Sequence, residues 1–210
     1  MGAGISLTLN EAGYVVGRSR AAINRAVDRG VIRTALQPRG KGRLRTIGAA
    51  ELRYLAVAGE VEGDLTPAAR RRIYEALRRL PVDAPVLELG VIALRLTEVD
   101  RRIAERLTRL AAARSAIADG PTGPVIRGTQ VSPHAVAALA RGQSPAEIAS
   151  DHPGLTQAQI EAAIDYAAIY PRAGRPPPAR SFKRMLGDLA EAGVWDVEAG
   201  DAPAAPRRMP

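Results

Sequence analysis

Short apolar repeats set off by capping residues and glycines run through most of the chain, so its elements can be read from where hydrophobic side chains recur. Asn10 is placed to cap a first helix to about Val16, where Gly17 ends it. Ser19 caps a second helix that runs to Arg29 and stops at Gly30. In that helix Ile23, Ala26 and Val27 recur at helical spacing and face inward, which leaves Arg18, Arg20, Asn24 and Arg25 at its N-terminal end or on its outer side. Val31-Ile32 and Leu44-Arg45-Thr46-Ile47 read as strands around a glycine-rich tip, Gln37-Pro38-Arg39-Gly40-Lys41-Gly42-Arg43. A third helix from Ala49 to Ala58, with Leu52, Leu55 and Tyr54 inward, closes a small core.

Beyond it, Thr66-Pro67 opens a helix whose stripe of Ile73, Leu77 and Leu80 runs down to Pro81. Its outer arginines, Arg70, Arg71, Arg72, Arg78 and Arg79, suit either a solvated face or a second contact to a nucleic-acid backbone. Val86 to Leu96 reads as strand with a kink or turn at Gly90, and Thr97 then caps a long amphipathic helix to about Ile117. Its narrow stripe, Val99, Ile103, Leu107 and Leu110, serves core packing or a helix-to-helix dimer seam. Residues 119–124 break the chain. Three capped helices follow, the first opened by Ser132-Pro133 and closed by Gly142, the others by the capping boxes Ser144-Pro145-Ala146-Glu147 and Thr156-Gln157-Ala158-Gln159. Val136, Leu139, Ile148, Leu155, Ile160, Ile164 and Ala167 are expected to share their core.

Composition narrows the chemistry. The 210 residues are 46% hydrophobic but only 3% aromatic, so the core is built from Leu, Ile, Val and Ala. There is no cysteine, and the two histidines are not at ligand spacing, so neither a metal site nor any other cofactor is expected. No carboxylate pair or nucleophile accompanies His134 or His152, which argues against an enzyme. No apolar run approaches the ~20 residues of a membrane span, and no basic segment leads into a signal-type apolar region, so a cytoplasmic location is expected.

Charge has a location. Residues 1–50 hold nine Lys/Arg (Arg18, Arg20, Arg25, Arg29, Arg33, Arg39, Lys41, Arg43, Arg45) against Glu11 and Asp28, which is +7 of the chain's +8. A single-sign field on one small module suits phosphate binding by counterion release. Arg and Asn at a helix N-terminus can read guanine and adenine in bidentate fashion. The glycines of the tip let Arg39, Lys41 and Arg43 approach phosphates beside the groove. From Ser132 to Tyr170, by contrast, Arg141 is the only base against Glu147, Asp151, Glu161 and Asp165. That sign is wrong for phosphate and fits a protein contact, most simply self-association into a homodimer.

Two resemblances follow from these residues. Leu9-Asn10-Glu11-Ala12, Val16-Gly17-Arg18-Ser19, Ile23, Val27, Asp28, Gly30 and Ile32 make residues 7 to 57 similar to the MerR and excisionase type of winged helix-turn-helix. Gly13-Tyr14 stand where that family often has a second Ala and a small apolar residue. Pro124-Val125-Ile126-Arg127-Gly128-Thr129, Gly142 to Ile148, His152-Pro153-Gly154-Leu155-Thr156 and Ala162 to Ala167 resemble the small helical domain of a VapB-type antitoxin family, over about 121 to 176. Where that family often has Arg and a Val-Pro pair after Gly-Thr, this chain has Gln130 and then Val131-Ser132. The second resemblance implies a PIN-domain or PIN-like nuclease toxin as partner, and self-association.

Past Tyr170 the chain turns proline-rich, through Pro176-Pro177-Pro178, and Ser181 then caps a short helix with Phe182, Met185, Leu186 and Leu189 on one side and Trp195 beyond. Scarce aromatics gathered after a linker suit a segment that orders on a partner's groove, or one that folds back on its own bundle. The resemblance implies that Arg172 or Arg175 would approach a toxin's acidic metal site. The expected fold is mainly α with short β hairpins, an N-terminal winged helix-turn-helix followed by a C-terminal three-helix, HTH-like bundle. Residues 1–60 form the DNA-binding domain, 61–120 a connecting region, 121–176 the antitoxin-type helical domain and 177–210 the toxin-binding tail. The expected function is that of an antitoxin which represses its own promoter. The alternative is a stand-alone transcriptional regulator or excisionase-like accessory factor.

Overall fold

The structure, a computed structural model, describes residues 4–40, 42–61 and 65–172, the side chains of Arg39, Glu60 and Val61 excepted. It is mostly helical with small antiparallel sheets. In chain order come β1 (Leu7–Thr8), α1 (Leu9–Val16), α2 (Arg20–Asp28), β2 (Ala35–Arg39), β3 (Gly42–Ile47), α3 (Ala49–Val61) and α4 (Pro67–Arg79). They are followed by β4 (Val86–Leu89), β5 (Ile92–Arg95), α5 (Thr97–Ala116), β6 (Ile117–Gly120), β7 (Gly123–Ile126), α6 (Pro133–Leu139), α7 (Pro145–Asp151) and α8 (Gln157–Ile169).

Local signals fix most boundaries. Ser19, Thr66, Ser144 and Thr156 each accept a hydrogen bond from a backbone N–H in the first turn of α2, α4, α7 and α8, and both expected capping boxes are formed. Gly17 ends α1 in the left-handed region at φ 69°, donating to the Gly13 and Tyr14 carbonyls. The cap of α1 is a correction. It is Thr8, not Asn10, and Thr8 forms a capping box with Glu11 while pairing in β1 with Thr46 of β3. Asn10 lies inside the helix because this strand pairing fixes the chain's entry two residues earlier.

Four further expectations change. Val31-Ile32 is not a strand; both N–H groups turn back to the Ala26 carbonyl at the end of α2, and the hairpin begins at Ala35. Thr97 is the first residue of α5 rather than its cap, since the Leu96 N–H is taken by the Pro85 carbonyl and the Leu96 carbonyl already accepts from Asp100. Residues 119–124 are no break. They form the tip of the β6–β7 hairpin, in which Ile117 pairs with Ile126. Leu139, placed in the C-terminal core by its spacing, is 40% exposed at the end of the short α6.

The apolar stripe of α5 is covered within the chain. Val99, Ile103, Leu110 and Ala113 are buried where α5 packs against α1, α3 and α8. They join Ile23, Ile47, Leu52, Leu55, Ile73, Leu77 and Ile169 in one cluster. Ile117, Ile126, Val136, Ile148, Leu155, Ile160 and Ala163 form a second one, and Tyr166 packs against both. Each fully buried Ile or Leu stabilises by about 1.5–3 kcal/mol. The two clusters therefore hold α8 on two sides at once.

Candidate nucleic-acid interface

Two helices, a tight turn and an antiparallel hairpin present the basic residues. The turn between α1 and α2 closes against Gly13, whose carbonyl accepts from the Arg18 N–H at 2.8 Å. A Cβ at Gly13 would sit 2.7 Å from the Arg18 carbonyl oxygen, so only glycine allows this approach. Sequence reasoning noted this residue only as a departure from a family pattern.

On α2 the Arg20 and Arg25 side chains are exposed, Ser19 is occupied as the cap, and Arg18 and Asn24 are half-buried. Arg18, Arg25 and Arg29 share a small groove with Arg70 at the start of α4, of about 90 Å³. On the hairpin Arg39 stands opposite Gly42, Gly40 turns the chain at φ 56°, and Arg43 is exposed. Lys41 lies outside the described residues. Arg45 differs from its neighbours. It donates to Asp28 Oδ1 at 3.0 Å, which ties the hairpin to the last turn of α2 and matches the exposed acid of that helix.

Buried polar contacts behind this face hold it in place. Arg53 of α3, 2% exposed, donates to both carboxylate oxygens of Asp100, the Nε–Oδ1 distance being 2.7 Å. It also donates to the Pro81 and Ala84 carbonyls at 3.1 and 3.4 Å. Tyr74 of α4 accepts from the Arg33 N–H at 2.9 Å and donates to Glu51 at 2.8 Å; burial first, then Glu51, pushes its hydroxyl up to about 12. Neither anchor was legible as functional, because the partners of each lie 23 to 47 residues away.

At the other end of the chain, Arg172 donates to Ser132 Oγ at 3.3 Å, and His134 Nε2 lies 2.8 Å from the Tyr170 carbonyl. The other proposed partner-binding residues, Arg175, Phe182, Met185, Leu186, Leu189 and Trp195, lie outside the described residues. Among the described residues no group of three or more His, Cys, Asp or Glu is placed to hold a metal ion. No helix there is long and apolar enough to cross a membrane.

Residues 123–167 match a family model described as Protein of unknown function (DUF433), which spans β7 and α6 to most of α8. Neither a curated protein nor a solved structure matches the chain.

Proposed function

We propose that this chain is a non-enzymatic, cytoplasmic antitoxin whose N-terminal part is a winged helix-turn-helix that represses its own promoter. Here α2 is the recognition helix, with Arg20, Asn24 and Arg25 toward base edges and Arg18 and Ser19 at its start. The β2–β3 hairpin is the wing, with Arg39, Lys41 and Arg43 toward phosphates and Arg45 setting its angle. The C-terminal helices are an HTH-like bundle of VapB type that joins two protomers, and the tail neutralises a PIN-like nuclease toxin.

One observation carries the reading. Exposed Arg20 and Arg25 sit on the outer side of a helix flanked by a basic hairpin, in the fifty residues that hold +7 of the chain's charge. A duplex bound there releases counterions, so binding weakens with salt at a slope of about −0.9 per phosphate contacted. The acidic helical region has no comparable attraction for a duplex.

The test is binding of the full chain to a duplex of its own upstream sequence and to an unrelated duplex, at two salt concentrations. The wild type prefers its own sequence, and replacing Arg20, Asn24 and Arg25 together by Ala abolishes that preference. An unchanged footprint removes α2 as the reader. Co-expression with the flanking gene, scored by growth and co-purification, separates an antitoxin from a stand-alone regulator.

A further inference from the structure

The carboxylate of Glu11 serves two elements at once. Its Oε2 accepts from the Thr8 N–H at 2.9 Å and so completes the capping box of α1. Its Oε1 accepts from the Tyr170 hydroxyl at the end of α8 and from Arg114 Nη2 of α5 at 2.6 Å. Arg114 Nε also donates to the Tyr170 oxygen at 3.2 Å, so the three groups close a ring of hydrogen bonds. Glu11 is 3% exposed, and water does not replace a lost partner there. One turn along α1, Arg106 stacks over the Tyr14 ring at 5.3 Å and donates to its carbonyl, while Arg109 holds Asp165 of α8 through two bonds of 2.7 and 2.9 Å. The apolar seam of α1 with α5 and α8, in which Ala12 and Val15 are buried, thus also carries polar, directional contacts that help fix its angle.

From this geometry we propose that Tyr170 is a positioning residue for DNA binding: through Glu11 it sets the docking of α1, and through the closed turn at Gly13 the presentation of α2. The inference rests on the DNA-binding reading above. Tyr170, Glu11 and Arg114 all lie outside residues 123–167, the part that matches the family model. Tyr170 caps the C-terminal end of α8, where the chain leaves the helix. Any restraint on residues 170–172 is then felt at α1, and the coupling is reciprocal.

The test compares full-length wild type with Tyr170→Phe, Arg114→Gln, Arg114→Lys and, as a destabilised comparison, Ile148→Val in the second core. Two quantities are read: amide hydrogen exchange in α1, and affinity for the upstream duplex at fixed salt. In Tyr170→Phe and Arg114→Gln the α1 amides exchange faster and affinity falls about five-fold or more. Arg114→Lys, which keeps the charge beside Glu11, recovers most of both, and Ile148→Val lowers the melting point without changing affinity. Wild-type exchange and affinity in Tyr170→Phe overturn the proposal, and so does an equal loss of affinity in Ile148→Val. If Tyr170→Phe does not fold, Arg114→Gln decides by the same two readouts. If the wild type itself ignores the duplex, the DNA-binding reading fails, while the exchange data still judge the joint.

Discussion

Asp100→Ala tests whether the buried Arg53 anchor holds the N-terminal helices against α5. Arg53 has a side chain 3% exposed, while that of Asp100 is 25% exposed in the first turn of α5. Removing the carboxylate leaves a guanidinium that water cannot reach, with the Pro81 and Ala84 carbonyls as its remaining partners. Breaking a buried pair in this way costs about 3–5 kcal/mol. At about 2–4 °C per kcal/mol for a unit of this size, the melting point falls by roughly 6–20 °C. Arg53→Met is milder: Met fills much of the space, and Asp100 keeps both water and a helix N-terminus that favours an anion, so the loss is about 1–3 kcal/mol. On the Arg53→Met background, Asp100→Ala then costs less than about 1 kcal/mol. Urea denaturation at pH 7 of the two single variants and the double variant measures all three values. Arg53→Met costing as much as Asp100→Ala, or additive losses in the double variant, would refute the argument.

Gly13→Ala forces a Cβ to within 2.7 Å of the Arg18 carbonyl, opens the α1–α2 turn and costs about 1–3 kcal/mol, with duplex affinity falling in parallel; an unchanged melting point would show that the turn yields freely. Burial alone would raise the Glu11 carboxyl, but the hydrogen bonds from Tyr170, Arg114 and the Thr8 N–H outweigh it and hold it below its usual 4.5. Its contribution to stability is therefore full above that value and lost as pH falls through the lower folded value. Glu11→Gln flattens this acid limb in denaturation curves taken from pH 5 downward, and an identical limb in the variant would count against the assignment. Truncation after Arg172 leaves duplex binding intact but loses rescue of growth when the flanking gene is co-expressed; a truncated chain that still rescues growth would place the partner contact elsewhere.

What could be read from the sequence was what is decided locally. Ser19, Gly17, Thr66 and the boxes at Ser144 and Thr156 each act within about four residues, and the helices begin and end where those residues stand. Asn10 and Thr97 failed as caps for the opposite reason. The pairing of Thr8 with Thr46, and of the Leu96 N–H with the Pro85 carbonyl, decides those starts from outside the helix. Gly120-Pro121-Thr122-Gly123 carries the composition of a break and of a hairpin tip alike, and only Ile117 facing Ile126 distinguishes them. In the candidate interface the clustering of cations was visible, whereas their different duties were not. Arg45 looks like Arg43 in the sequence, and both are exposed, yet Arg45 is held by Asp28.

The disposition of the two acids sharpens the electrostatic argument beyond the net charge. Within residues 1–50 only Glu11 and Asp28 could offset nine cations. Glu11 is buried and turned inward to Arg114 and Tyr170, and Asp28 is matched by Arg45. Neither acid is left to oppose the positive field over Arg20 and Arg25. Conversely, two arginines of α5 are engaged in holding α1, Arg106 on Tyr14 and Arg114 on Glu11, while Arg109 ties α5 to Asp165 of α8. Glu11 thus pairs toward the body of the protein, the Arg45–Asp28 pair lies at the surface, and the exposed Arg20 and Arg25 add their charge there. A field of that sign would draw a polyanion to the outer side, which is what the salt dependence of duplex binding tests.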